Sequence, residues 1–303
     1  MATIESTGPE APPRTKRRGS KPRYGQLSRG RAVLAHIALI SLGLVMIYPV
    51  IWMVLSSLRP QEEIFAGIGI IPRTWTVQNY VSGWNFFGNV TFATFFINSF
   101  IICGLSVVGN VTAACLAGYA FARLRFRWKA FWFALMIGSI MLPIHAQLIP
   151  QYIAFVRLGW VNTILPLVVP KFLATDAFFI FLMVQFMRTL PKELEQAATV
   201  DGASYWQRFT RIILPLCLPA IVTTSIFTFI NTYNDFLSQL IYLSGLERLT
   251  VPLALRMFVD ASGGESSFGG MFAMATLAIG PVLGFFLVSQ RYLVRGVATQ
   301  GFK

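Results

Sequence analysis

Residues Leu194 to Leu216 read LEQAATVDGASYWQRFTRIILPL, a polar and charged passage set inside a chain that is otherwise mostly apolar. Glu193 and Glu195 favour the positive end of a helix, and Pro191 suits a first helical turn, where its missing N–H is not needed. Asp201-Gly202 is a turn signal, with Gly202 suited to the left-handed conformation that ends a helix. Ser204 stands three residues before Gln207, the spacing of a capping box, and so opens a second helix running into Phe209–Pro215. The passage therefore predicts two short helices bent sharply at Gly202, with Ala197 and Ala198 forming a flat face that another protein can approach.

The surroundings explain why such a pair is unusual. Of 303 residues, 55% are hydrophobic and only 12% charged, with 27 Phe. That composition lies outside the range of soluble domains and marks an integral membrane protein. Charge-free runs reach the roughly 20 residues that cross a bilayer as helix, and no short alternating segments suggest a β-barrel. Apolar runs read against charges predict spans near 32–57, 97–121, 130–154, 164–187, 213–235 and 269–290.

Six spans put both termini on one side. That side carries 19 of the 25 Lys and Arg residues, the other side carries Arg59, Arg73, Arg157, Arg248 and Arg256, and Lys171 falls in or near a span. By the positive-inside rule the termini and the 188–212 loop are cytoplasmic. The formal charge of +13 thus reports topology, and without interleaved stacking aromatics it does not indicate nucleic acid. Residues 1–30 read as a disordered basic arm able to touch membrane lipid, and 31–303 as one permease domain. Gly109, Ala113 and Ala117, four residues apart, let another helix backbone come close.

Several chemistries are excluded. No G-x-x-x-x-G-K-S/T stretch is present, so the chain cannot cradle nucleotide phosphates in a P-loop. His36 and His145 have no companion carboxylate or thiol at ligand spacing, so neither a metal site nor a catalytic histidine is expected. Cys103, Cys115 and Cys217 read as buried small hydrophobes. No G-x-S-x-G nucleophile motif occurs.

Two polar groups remain as substrate-path candidates. Asp176 lies within the fourth predicted span, five residues after Lys171. An ionisable group at that depth faces a water-filled path or a partner charge, although a kink near the outer interface would also accommodate it. Asn231, Tyr233, Asn234 and Asp235 cluster at the end of the fifth span; amides, a carboxylate and a phenol match the donors and acceptors of a sugar, and equally suit a helix cap.

The loop resembles importer permeases of the ATP-binding cassette class. Their pattern is Glu-Ala-Ala, three residues, Gly, nine residues, Ile, one residue, Leu-Pro; here Ala197, Ala198, Gly202, Ile212, Leu214 and Pro215 fall in that register. Gln196 stands where the motif has Glu, with Glu195 just before it. The stretches 55–65, 142–170, 232–236 and 290–296 (LSSLRPQEEIF, LPIHAQLIPQYIAFVRLGWVNTILPLVVP, TYNDF and QRYLVRG) are similar to the carbohydrate branch, in particular to G-type permeases of maltose systems. The resemblance implies an all-α, six-helix, type I permease fold in a bacterial cytoplasmic membrane. It further implies an ATPase subunit dimer that binds ATP, a second permease forming a heterodimer, and an extracytoplasmic sugar-binding protein. Coupling to the ATPase is then assigned to Glu195, Gln196, Ala197, Ala198, Asp201 and Gly202, while this chain holds no cofactor. The alternatives are a glycerol-phosphate or polyol importer and an ion-coupled secondary transporter using Asp176 or Asp235.

Overall fold

The computed structural model describes residues 29–65, 69–260 and 267–298. The basic arm expected over residues 1–30 lies almost entirely outside the described residues. Among them no β-strand forms, and helices follow one another: α1 (Arg29–Ser56), α2 (Gln78–Trp84), α3 (Phe92–Arg123), α4 (Lys129–Ile140), α5 (Ile144–Arg157), α6 (Leu165–Phe172), α7 (Ala177–Thr189), α8 (Glu193–Val200), α9 (Tyr205–Arg208), α10 (Leu214–Leu216), α11 (Leu218–Tyr233), α12 (Leu237–Tyr242), α13 (Val251–Asp260) and α14 (Phe268–Ala298). The chain divides into two compact units, Met1–Pro49 and Val50–Lys303. In the first, the described residues belong to α1, which carries no charge after Arg31.

Four helical stretches, Ala32–Ser56, Phe92–Arg123, Leu165–Thr189 and Phe268–Gln290, are long and apolar enough to cross a membrane, and two bent pairs raise the number to six. These match the six expected spans, two of them bent. The third, expected over 130–154, is α4 and α5 bent by more than 40°. Pro143 is the cause: it has no amide to continue the ladder and pushes Leu142 out of the helical region. The fifth span is bent by 74° between α10 and α11. Pro215 leaves the Arg211 carbonyl without its usual donor, the helix loosens into a π turn over Phe209–Ile213, and Pro219 restarts it as α11.

In the second unit α3 is the central post. Its small residues decide how closely neighbours approach: a Cβ on Gly109 would stand 2.5 Å from the Phe172 ring, and one on Gly118 would stand 2.8 Å from the Met183 Cβ. Gly109 and the buried Ala113 belong to the expected close-packing face, and the tightest approach to α7 is made by Gly118, one residue past Ala117. Such contacts matter in lipid, where helices gain nothing by hiding apolar surface and associate through close packing and hydrogen bonds. One of those bonds runs from Asn110 Nδ2 to Thr228 Oγ1 at 2.7 Å, both side chains buried between α3 and α11.

Two apolar clusters flank the post. Phe92, Phe95 and Ile102 at the start of α3 pack with α11, α13 and α14 through Phe229, Phe258 and Met274. Ala114 and Tyr119 near its end pack with Met183 and Met187 of α7 and with Phe209 and Ile213 of the π turn. Cys103, Cys115 and Cys217 are free and buried within these clusters.

Candidate functional site

The helix pair read from the sequence is present. Ser204 Oγ accepts from the Gln207 amide at 3.3 Å while Gln207 Oε1 accepts from the Ser204 amide at 2.8 Å, closing the capping box. Gly202 has φ +78°, the Ala203 amide reaches back to the Ala198 carbonyl at 2.9 Å, and the Gly202 amide reaches the Thr199 carbonyl at 3.1 Å. This is a Schellman termination of α8. A Cβ on Gly202 would meet nothing within 4 Å, so glycine is needed there for its backbone and not for space. Pro191 stands just ahead of the N-cap Lys192 rather than in the first turn of α8.

The candidate coupling residues separate into an inner and an outer set. Gln196, Ala197, Asp201 and Gly202 are exposed, Ala198 is half-buried, and the same outward surface carries Val200, Tyr205 and Trp206 at 88%, 65% and 63% exposure. Glu195 turns inward. Its carboxylate lies 3.2 Å from Arg123 Nε, with side-chain exposures of 14% and 4%. Glu195, one position before the motif's carboxylate, is thus already engaged by Arg123, while Gln196 beside it stays exposed.

Arg123 is the residue that sequence reading missed. The sequence marks it only as a topological charge, yet its Nη2 donates to the Met187 and Leu190 carbonyls at 2.6 and 2.8 Å while its Nε pairs with Glu195. One guanidinium thus ties the end of α3 to the last turn of α7 and to α8. Its fork of donors suits that task, and a lysine has no equivalent geometry. Arg208 completes the scaffold: Nη1 donates to Thr199 Oγ1 at 2.7 Å and the guanidinium lies 4.2 Å from the Tyr205 ring centre, binding α9 to α8.

A second site lies nearer the start of α3. A cavity of about 520 Å³ is lined by Lys171, Asp176, Asn231, Asn234 and Asp235, with Thr228, Thr232, Ser238 and Gln239 beside them and Ile102, Leu167, Phe179 and Ile230 as its apolar wall. Lys171 Nζ donates to Asp176 Oδ2 at 2.8 Å across the gap between α6 and α7, where Ala174 takes φ +58°. The fourth span is thus interrupted at the cavity, and irregular backbone at membrane depth is tolerated where it lines one. Both readings of Asp176 meet here, since it sits at a break and also lines the cavity.

Asn231 is exposed to the cavity and its amide engages none of the described residues. Asn234 donates to the Ile230 carbonyl at 3.0 Å, and Asp235 Oδ1 accepts from the Ser238 amide at 3.1 Å, so Asp235 holds an amide of the first turn of α12 as well as lining the cavity. Tyr233 does not join them. It is 3% exposed, stacks on Phe229 and donates to the Ala278 carbonyl at 3.1 Å. Two residues along a helix is about 200° of rotation, which sends Tyr233 to the α14 side when Asn231 faces the cavity. Thr228 and Gln239 were not singled out from the sequence. The signal for Thr228 was the four-residue spacing of Thr224, Thr228 and Thr232, whose last two members border the cavity.

Residues 109–299 match the family described as binding-protein-dependent transport system inner membrane component. Among curated relatives, a probable ABC transporter permease, YurM, of Bacillus subtilis is 33% identical over 84% of this chain and 83% of its own length. The trehalose/maltose transport system permease MalG of Thermococcus litoralis is 29% identical over 90% and 97%. A crystal structure of a bacterial ABC transporter that imports the acidic polysaccharide alginate contains a chain of the same fold, with TM-score 0.78 and 20% identity over 90% of this chain and 99% of that one. Such a family replaces the ion-coupled alternative, and it implies ATPase and binding-protein partners. With its bent helix pair and apolar spans, the chain belongs to the inner-membrane components of binding-protein-dependent transport systems: it is a multi-pass ABC importer permease of type I fold.

Proposed function

We propose that this chain is one of two different permease subunits of an ATP-driven carbohydrate importer in a bacterial cytoplasmic membrane. Both termini and the 188–212 loop face the cytoplasm, an ATPase dimer binds the nucleotide, and an external binding protein delivers a di- or oligosaccharide. The observation that carries the reading is the two-faced α8–α9 pair. Its inner face is tied to α3 and α7 through Arg123 and Glu195, and its two helices to each other through Arg208, while Gln196, Ala197 and Val200 stand exposed for a partner. Closure of the ATPase dimer then moves a stiff lever, and the motion reaches the spans through Arg123 instead of being absorbed in the loop.

The cargo assignment rests on the 520 Å³ cavity and on the relatives. The uncommitted Asn231 amide, threonine and serine hydroxyls and an apolar wall suit a polyhydroxylated solute. Relatives are named for trehalose/maltose and for arabinooligosaccharides. Another is named for sn-glycerol-3-phosphate, but here the cavity's lysine is already paired with Asp176, which disfavours a phosphorylated cargo. Purification of the tagged chain from its own membrane tests the assembly: an ATPase and a second permease should come with it. In that complex Gly202→Glu should remain inserted yet lose substrate-stimulated ATP hydrolysis. Normal stimulation in the variant would remove the loop from the coupling path.

A further inference from the structure

Beside the helix pair lies a second cavity, about 950 Å³, whose charge the coupling reading does not explain. Arg123, Arg125, Lys129, Lys192 and Arg208 line it against a single carboxylate, Glu195, which Arg123 already occupies. Lys129 is held by the Leu124 carbonyl at 2.8 Å, and Arg208 by Thr199. Arg208 Nε is sealed from solvent with no hydrogen-bond partner, and the side chains of the exposed Arg125 and Lys192 engage none of the described residues. Several positive groups facing one hollow repel one another, and an anion seated there relieves that repulsion.

What adjoins the hollow identifies the anion. The loop that contributes Phe126 also carries Trp128, and α4, which opens with Lys129, continues with Phe131, Trp132 and Leu135; Trp128 and these three are exposed by 62%, 53%, 50% and 57%. Positions 131, 132 and 135 share one helical face, with Trp128 at the N-cap before them, so an apolar stripe leads away from the cations along a helix that enters the membrane. Aromatic rings at such a point sit at headgroup level, and basic pockets between spans on the cytoplasmic side hold anionic headgroups.

We propose that this basin binds the phosphate of an anionic membrane lipid, of the phosphatidylglycerol or cardiolipin type, with its acyl chains along the α4 stripe. A lipid so placed braces α8 against the α3–α4 connection and makes the coupling loop responsive to membrane composition. Free phosphate has no use for the stripe.

The test is native mass spectrometry of the complex as purified, in nanodiscs of phosphatidylcholine doped with labelled phosphatidylglycerol. Its binding readout does not depend on the coupling assignment. Arg125→Gln with Lys192→Gln should lower retention of the labelled lipid about 30-fold, from the loss of two surface cations. Arg125→Lys with Lys192→Arg should restore it, and Phe131→Ser should weaken it with the cations intact. Undiminished retention in the Gln variant overturns the proposal. So does complete displacement by millimolar inorganic phosphate, which identifies a free-anion site, and so does a zero-length cross-link from Lys192 to an acidic residue of the ATPase subunit, which identifies a protein occupant.

Discussion

At Arg123 itself the charge is committed to the protein: a buried guanidinium serves two carbonyls and one carboxylate, and both helices of the bent pair are capped. Around Asn231 the reverse holds. An amide is left without a partner, the Lys171–Asp176 pair keeps about a quarter of each side chain exposed, and the span beside them is interrupted. The same central helix borders both regions. A region that transmits force needs its polar groups tied off so that displacement is not lost in rotamers, whereas one that admits a hydrated solute needs groups free to exchange one partner for another.

Breaking the tied-off region should have the largest effect. Arg123→Ala leaves Glu195 and two carbonyls without their partner, and loss of one member of a buried pair costs about 3–5 kcal/mol. Thermal unfolding in detergent should register that loss, and Arg123→Lys should recover only part of it. Gly202→Ala comes next: a side chain in the left-handed region costs about 1–2 kcal/mol with no steric clash to add, so Gly202→Asn should lie between the two. ATP hydrolysis stimulated by the loaded binding protein should fall in the same order, Ala below Asn below Gly.

Changes in the open region should leave stability nearly untouched. Lys171→Met removes a partly exposed ion pair worth about 1 kcal/mol or less. Asn231→Leu should not lower the melting temperature at all, yet should raise the KM for uptake. A destabilised Asn231→Leu protein would mean that the amide is structural and that the two regions are built alike.

The smallest effect concerns Glu63, which accepts from the Arg73 and Thr74 amides and from the Thr74 hydroxyl. The Thr74 hydroxyl, ahead of the other contacts, holds its carboxyl below the usual range. A depressed folded value means that the tie is fully present above the ordinary carboxylate pKa and weakens only as pH falls through the lower folded one. Amide exchange at Arg73 and Thr74, corrected for intrinsic rates, should therefore be flat from neutral pH into the mild acid range and rise only below it.

What was legible from the sequence follows the same division. Capping box, glycine turn and apolar spans are local patterns in which residues three or four apart already specify the geometry, and Ser204, Gln207 and Gly202 behave as read. The partner of Arg123 is 72 positions away, and a positive-inside count treats every basic residue at that end alike. The two bent spans are legible only in part: Pro143 and Pro215 mark kinks within apolar runs, but hydropathy is blind to direction and does not say how far they redirect the chain. Tyr233 was misplaced because neighbours in sequence were grouped by chemistry without following the helix around its axis.

The two-faced loop is tested most directly by maleimide labelling of Val200→Cys and Glu195→Cys, against the buried Cys103, Cys115 and Cys217 as an unreactive background. In the chain without its ATPase subunit, position 200 should label fast and position 195 slowly; adding the ATPase subunit should protect position 200 and leave position 195 unchanged. If position 200 stays equally reactive in the assembled complex, the outward face is not the docking face, and the coupling role of the loop falls with it.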